Sequence, residues 1–255
     1  MQHIPEQMTA WPEPKYVKDP KFNVKGDLMD YTGLPEATIT ELLKRPKDMC
    51  FTDEWQATPE LLRHDQWFYL SSKFYLFANS IHRHAPGCGI MDPKIFQSLV
   101  PAQSHVLDYA GGTGNCALSM ASLGYVAHYR ELSALQANFV RFRAFKHKLP
   151  VVVHDLWAPL PDNFFAFICF DSIGHVVDQK KELLRMIQAL KPAGKLFLSL
   201  EDFTVPNTYE ASDPRRWSMG EKEQFMHMPN QIGDVSNFLI SQGLQWTDPC
   251  WIKAG

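Results

Sequence analysis

The sequence predicts an α/β protein: a doubly wound, mostly parallel sheet with helices on both faces and a helical cap on its N-terminal side. Three observations carry this. From residue 90 onward, short apolar or β-branched runs alternate with longer helical ones, the pattern of a parallel sheet covered by crossover helices. A cluster of small residues, Ala110-Gly111-Gly112-Thr113-Gly114, stands between the first of these strands and the helix after it. Residues 58–84 are helical in period but apolar around much of the circumference, so something must pack over them.

The elements follow in order. Residues 1–27 hold Pro5, Pro12, Pro14 and Pro20 and little apolar periodicity, which predicts an extended arm. Residues 28–89 are expected to be the cap and substrate lid. In LPEATITELLKR, Pro35 suits a first helical position, and Ile39, Leu42 and Leu43 recur at helical spacing. In TPELLRHDQWFYLSSKFYLFANSIHRH, Thr58 is a cap followed by Pro59 and Glu60. APGCG then breaks the pattern. The main domain is expected over 90–255. DPKIFQSLV is a short helix, SHVLDYA a strand, NCALSMASLG a helix closed by Gly124, and YVAHYREL a strand. SALQANFVRFRAFKHKL is a helix beginning at Ser133, PVVVHDLW a strand, and FFAFICFDSI a nearly all-apolar strand. QKKELLRMIQALKPAG reads as a helix ending at Pro192 and Gly194, with KLFLSLED the next strand. Residues 203–230 are polar and turn-rich, a length that inside a compact domain usually marks a functional or a mobile segment. DVSNFLISQG is a helix. LQWTDPCWIKA either folds back as a hairpin at Asp248-Pro249, or the last strand of the fold is missing from a truncated chain that continues into a further domain beyond residue 255.

Composition bounds the function. A net charge of −3 and a pI near 6.4 leave no overall basic field for a nucleic-acid backbone. The five cysteines, at positions 50, 88, 116, 169 and 250, form no CxxC and no Cys/His ligand spacing, so a metal is not expected and the thiols read as buried in a reducing compartment. No apolar run approaches a membrane span and the N-terminus lacks a signal-like apolar segment. The expectation is a cytoplasmic protein with no membrane or nucleic-acid partner.

A glycine cluster costs conformational entropy and needs a reason. At the carboxyl edge of an open α/β sheet the reason is either a tight turn or close approach of a ligand to the backbone. The spacing is not GxxxxGK[ST], so it is not a phosphate loop. Gly112, Gly114 and Ala117 leave a nicotinamide cofactor open.

VLDYAGGTGNCAL resembles motif I of the class I S-adenosylmethionine-dependent methyltransferases. Asp108 opens its D-x-G-x-G-x-G pattern, with Ala110 in the first glycine place, Gly111 beside it, and Gly112 and Gly114 in the next two. The second strand ends at Glu131, and the third is followed by Asp155. FFAFICFDSIGHVVD and LKPAGKL resemble the later motifs. These landmarks span about residues 90–200. The resemblance implies a Rossmann-like fold, S-adenosyl-L-methionine as cofactor and S-adenosyl-L-homocysteine as product. It implies that Glu131 takes both ribose hydroxyls, since a carboxylate can accept from two adjacent OH groups. It places the adenine at Asp155 and adds Leu132, Leu156 and Phe170 to the cofactor contacts. Ala110 departs from the pattern, putting a Cβ near the cofactor's methionine end. A nicotinamide oxidoreductase and a non-catalytic binding or scaffold protein of the same fold are the alternatives.

Methyl transfer from a sulfonium is an in-line displacement, so the protein positions the acceptor and, where needed, removes a proton. His175, just past the fourth strand, is the candidate base; the other reading of it is a cap or packing residue. His154, His82 and His84 read as structural. Tyr75 is a candidate cofactor contact from the cap. Tyr69, Arg215 and Arg216 are candidate substrate contacts, the arginines for an acidic group. The aromatic cap suits a small organic metabolite or a short peptide, a natural-product type of substrate. The acceptor is a hydroxyl, carboxylate or amine, and the residues do not choose among them.

Overall fold

A computed structural model describes residues 22–44, 90–155, 158–170, 172–176, 178–198 and 232–255, together with 16, 17, 57, 70, 76, 77 and 80. Tyr69, Tyr75, Leu156, Arg215, Arg216 and the long stretch 203–230 lie outside them.

Two small strands, β1 (Tyr16–Val17) and β2 (Ile90–Met91), pair antiparallel. The main sheet comprises β3 (His105–Tyr109), β4 (Val126–Arg130), β5 (Val151–Val153), β6 (Phe164–Cys169), β7 (Leu190–Leu198), β8 (Leu244–Thr247) and β9 (Cys250–Lys253). Its order is β5-β4-β3-β6-β7-β9-β8, with β5 to β7 parallel and the terminal pair antiparallel. The doubly wound, mostly parallel architecture read from the sequence is therefore present. Of the two expectations for LQWTDPCWIKA, the hairpin is observed, with Trp246 and Trp251 directly paired and their rings 5.4 Å apart.

The central strands are apolar on both sides because both sides are covered. On one face Leu107, Phe164, Phe167 and Leu196 pack with Leu183 and Met186 of α6 (Gln179–Ala189) and with Leu239 of α7 (Val235–Ser241). On the other, Val106, Ile168 and Phe197 meet Phe96 of α3 (Pro93–Leu99) and Met120 of α4 (Asn115–Ser122). The chain leaves β3 for β4 and β5, then returns to β6 on the opposite side of β3. The carboxyl ends of β3 and β6 thus flank the point where the strand order reverses, the place where open α/β sheets bind ligands.

The helix expected to run to Pro192 stops at Ala189. Pro192 lacks a backbone N–H and disfavours a helical Lys191. Leu190 is already extended and pairs with Phe164; pairing resumes at Lys195 after a register shift, with Ala193 at φ 60°. The stranded carbonyls of Ile187 and Leu190 are taken by Lys253 Nζ of β9, at 2.8 and 2.7 Å.

Residues 24–27, expected to belong to an extended arm, are helical instead. Asn23 accepts from Gly26 N at 3.1 Å and starts α1 (Val24–Thr32), which Gly33 closes in the left-handed conformation. A side-chain cap outweighed the polar composition that suggested extension. α1 and α2 (Glu36–Lys44) bury Val24, Leu28 and Ile39 with Leu76 against Phe139 of α5 (Ala134–Lys146). α1 and α2 thus sit on the flank formed by α5.

Among the described residues no helix connects β5 to β6. The same face of β3, β4 and β5 carries polar groups instead. His105 Nδ1 lies 2.9 Å from His128 Nε2, and His128 Nδ1 lies 2.8 Å from His154 Nε2. Each histidine sits two residues further along than the pairing partner of the last, so the three run diagonally across the strands. Each link needs one protonated and one bare nitrogen, which fixes all three tautomers together. Burial, then the neighbouring His154 and His105, push the His128 pKa down to about 4. A depressed folded-state value means that stability is fully present above the ordinary 6.5 and lost as pH falls toward 4. The loss should amount to about 3 kcal/mol over that range. Urea unfolding at pH 7 and pH 4.5 should show it, and His128→Leu should flatten the dependence; an equally steep curve in the variant would assign the acid lability elsewhere.

Candidate active site

The glycine turn is built by side chains beneath it. Asp108, at the end of β3 and buried, accepts from Ala117 N at 3.0 Å. It thereby caps α4, whose own N-cap residue, Gly114, has no side chain to do so. A Cβ at Gly111 would stand 2.3 Å from the Asp108 carboxylate, and one at Gly114 would stand 2.6 Å from Val140. Gly112 and Gly114 have φ of 56° and 75°. Tyr129, fully buried in β4, donates to Gly112 O at 2.6 Å, and Arg143 Nη1 donates to Thr113 O at 2.6 Å. Two carbonyls of the turn are thus bound inward, which leaves its outer side free of those acceptors.

Ala110 shows why this place favours glycine. Its φ is 52°, a left-handed conformation that costs an L-residue about 1–2 kcal/mol. Ala110 is partly buried against the cluster containing Tyr109 and Ile173, and the departure from the motif carries backbone strain. Ala110→Gly should raise stability by about 0.5–1 kcal/mol, the relief of strain less the added backbone entropy of glycine. A denaturant midpoint that falls in this variant would contradict that reading.

Glu131 follows β4 and is 6% exposed. Its Oε2 accepts from Gly112 N at 3.0 Å and its Oε1 from Leu132 N at 2.7 Å. Burial raises its pKa, against the lowering effect of these backbone donors. The carboxylate is therefore fixed to the glycine turn, and each oxygen retains acceptor capacity beyond one bond. Asp155, after β5, is exposed, and its charge acts on Arg130 across the edge. Leu132 is half-buried, and Phe170 is buried in the cluster of Phe96, Cys116 and Ile168 beneath the turn. The backbone of His175 closes a short 3-10 turn, Ile173–His175, following β6 at the same edge. The structure brings Asp108, Ala110, Gly111, Gly112, Gly114, Glu131 and Leu132 together at this edge.

Several functional candidates escaped the sequence reading. Tyr129 and Arg143 contact the turn from residues whose types, Tyr in an apolar strand and Arg in a basic helix, carry no signal. Tyr109 donates to Glu182 at 2.6 Å. Burial first, then the Glu182 charge, pushes its phenol well above the ordinary range, so it serves as a donor and not as a base. His154, read as structural, is the end of the histidine ladder. Among the described residues no group of three or more His, Cys, Asp or Glu is placed to hold a metal ion.

A methyltransferase-domain family pattern matches residues 82–246. The chain belongs to this methyltransferase family. The match bears out the methyltransferase family that the motif residues resemble. Two curated relatives are similar over part of their length, both ubiquinone biosynthesis O-methyltransferases. That of Xanthomonas axonopodis pv. citri (strain 306) is 33% identical over 106 residues, 40% of this chain and 44% of that protein. That of Xanthomonas euvesicatoria pv. vesicatoria (strain 85-10) is 32% identical over 103 residues, 38% and 43%. The match thus spans less than half of either relative. Haemonchus contortus phosphoethanolamine N-methyltransferase 2, solved with S-adenosyl-L-methionine, superposes with a TM-score of 0.53 at 19% identity, over 71% of this chain and 45% of that one. A Haloferax volcanii putative methyltransferase, solved with the Trm112 activator, gives 0.51 at 14% identity, over 72% and 77%. These two show a shared fold.

Proposed function

We propose that this methyltransferase uses S-adenosyl-L-methionine to methylate a small organic metabolite or short peptide, with a hydroxyl as the preferred acceptor. The observation that carries the cofactor reading is the buried Glu131 carboxylate held against Gly112 N and Leu132 N beside a turn whose carbonyls face inward. An acceptor-only group at that position suits a ribose diol and not a phosphate. The donor set therefore fits the nucleoside: Glu131 would hold the ribose, Asp155 and Leu132 the adenine side, and the turn from Ala110 to Gly114 the amino-acid end. When bound, the cofactor supplies the electrophilic methyl; the chain supplies orientation and exclusion of water.

The hydroxyl preference draws on the part-length likeness to O-methyltransferases and on the place of His175. A neutral imidazole there would accept the acceptor's proton as the C–O bond forms and the C–S bond breaks. Arg215 and Arg216 remain proposed contacts for an acidic substrate group, and Tyr69 and Tyr75 proposed contacts from the cap. No helix among the described residues is long and apolar enough to cross a membrane; a cytoplasmic, natural-product role is part of the proposal. The deciding experiment is calorimetry with S-adenosylhomocysteine and with NADH, followed by incubation with methyl-labelled S-adenosylmethionine and fractionated cell extract. Binding of the homocysteine and a labelled small molecule are expected. Binding of NADH alone would overturn the assignment, and cofactor binding with no labelled product would favour a non-catalytic protein.

A further inference from the structure

The sharpest unexplained feature is a buried charge cluster joining α1 to the glycine turn. Arg143 of α5 is fully buried. Its Nε donates to Asp27 Oδ2 at 2.7 Å, and its Nη1 donates to Thr113 O and to Asn115 Oδ1, each at 2.6 Å. Asp27, in α1, is 1% exposed and also meets Lys146 Nζ at 2.7 Å and His147 Nε2 at 3.0 Å. The surrounding cations and hydrogen bonds hold its carboxyl below the usual range despite burial.

A guanidinium is rigid and planar. Fixing one edge on Asp27 therefore fixes where its other nitrogen meets the turn. Without Asp27 the guanidinium would be a buried, unbalanced charge, free to turn toward other acceptors. The apolar contacts of α1 with Phe139 hold the helix on α5, and the polar link from α1 to residues 113 and 115 runs through Arg143.

We infer that Asp27 and Arg143 are positioning residues that make α1 part of the cofactor site, so that docking of α1 and binding of the nucleoside cofactor reinforce one another. This rests on the cofactor reading above. Asp27 orients Arg143, Arg143 holds Thr113 O inward and anchors the start of α4, and the turn so held presents its outer side to the ligand. By reciprocity, a ligand that favours the held turn must also favour the docked helix.

The test uses the full chain and S-adenosylhomocysteine as probe. Asp27→Asn keeps an oxygen for Arg143 Nε and removes the charge; Asp27→Glu keeps the charge; Asn115→Ala removes one turn-side partner. Glu36→Gln, which breaks the exposed Lys25–Glu36 pair at 2.9 Å on the same helix pair, is the control. Asp27→Asn and Asn115→Ala should each weaken binding about 10-fold, Asp27→Glu should recover part of the loss, and the control should match wild type. Ligand should slow amide exchange in residues 24–32 of wild type and much less in Asp27→Asn. Without ligand, Asp27→Asn should already speed exchange at residues 112–118.

A purely structural Asp27 would lower the melting temperature equally with and without ligand and leave affinity unchanged, which would overturn the inference. Failure of wild type to bind S-adenosylhomocysteine would sink the cofactor reading instead. In that case the ligand-free exchange at 112–118 alone decides whether α1 holds the turn, and unchanged exchange there refutes it.

Discussion

Replacing His175 by alanine is expected to cut turnover on a hydroxyl acceptor by about 10²–10⁴-fold, the range that a positioned general base supplies. Affinity for S-adenosylhomocysteine should stay near wild type, because His175 lies past β6 and not on the glycine turn or at the tip of β4. The rate of the wild type should rise with pH as the imidazole loses its proton, since only the neutral form accepts. The variant should lose that limb of the profile. On a carboxylate or neutral amine acceptor, neither of which needs a base, the same substitution should cost little beyond positioning. Turnover unchanged on a hydroxyl substrate would remove the base assignment and leave His175 as a structural residue of the 3-10 turn.

Glu131→Ala should weaken S-adenosylhomocysteine binding by about 100-fold or more. Two ribose hydrogen bonds to a charged acceptor are lost, at about 1.5–3 kcal/mol each. The substitution also strips Gly112 N and Leu132 N of their acceptor, which loosens the turn. Glu131→Gln separates these effects: its amide oxygen can still take one N–H, but the second oxygen becomes a donor. Because burial raises the Glu131 pKa, the carboxylate is held at a cost to the fold at neutral pH. A raised folded-state value in an acid favours the protonated form, so that cost vanishes as pH falls and grows as pH rises through the folded pKa. Relief of that cost should offset part of the loss of one backbone acceptor, so at pH 7.5 Glu131→Gln should destabilise the free protein less than Glu131→Ala does, while binding the ligand worse than wild type. In the wild type, acidification should release the ligand at a pH above the ordinary glutamate range. Melting curves and calorimetry across pH check both; a variant that binds normally would free Glu131 of the ribose role.

The strand and helix order from β3 to α6 was legible in the residues because each element meets a local rule. Ser133 and Asp178 cap the helices they precede, and Val106, Leu107 and Ala166 to Cys169 are apolar on consecutive positions because both sheet faces are covered. Asp108, Gly112, Gly114 and Glu131 were legible because motif spacing fixes them relative to two strand ends. Several boundaries were not, and two show why. α6 ends early because Leu190 has a pairing partner in Phe164, and α1, where no helix was read, forms because Asn23 caps it; local composition outweighed both in the reading.

What the sequence by itself determined is the alternation of elements, the turn and the acids at the strand tips, all set by contacts within about twenty residues of chain. What only the tertiary structure decided are the partners: Asp27 with Arg143, Tyr129 with Gly112, Tyr109 with Glu182, and the three histidines across β3, β4 and β5. Asp27 and Arg143 stand 116 positions apart, and nothing in either neighbourhood marks an acid or a base as destined for burial. This pair is placed in the interior because packing of remote elements brings charge and counter-charge to hydrogen-bond distance, and that meeting is a property of the folded chain.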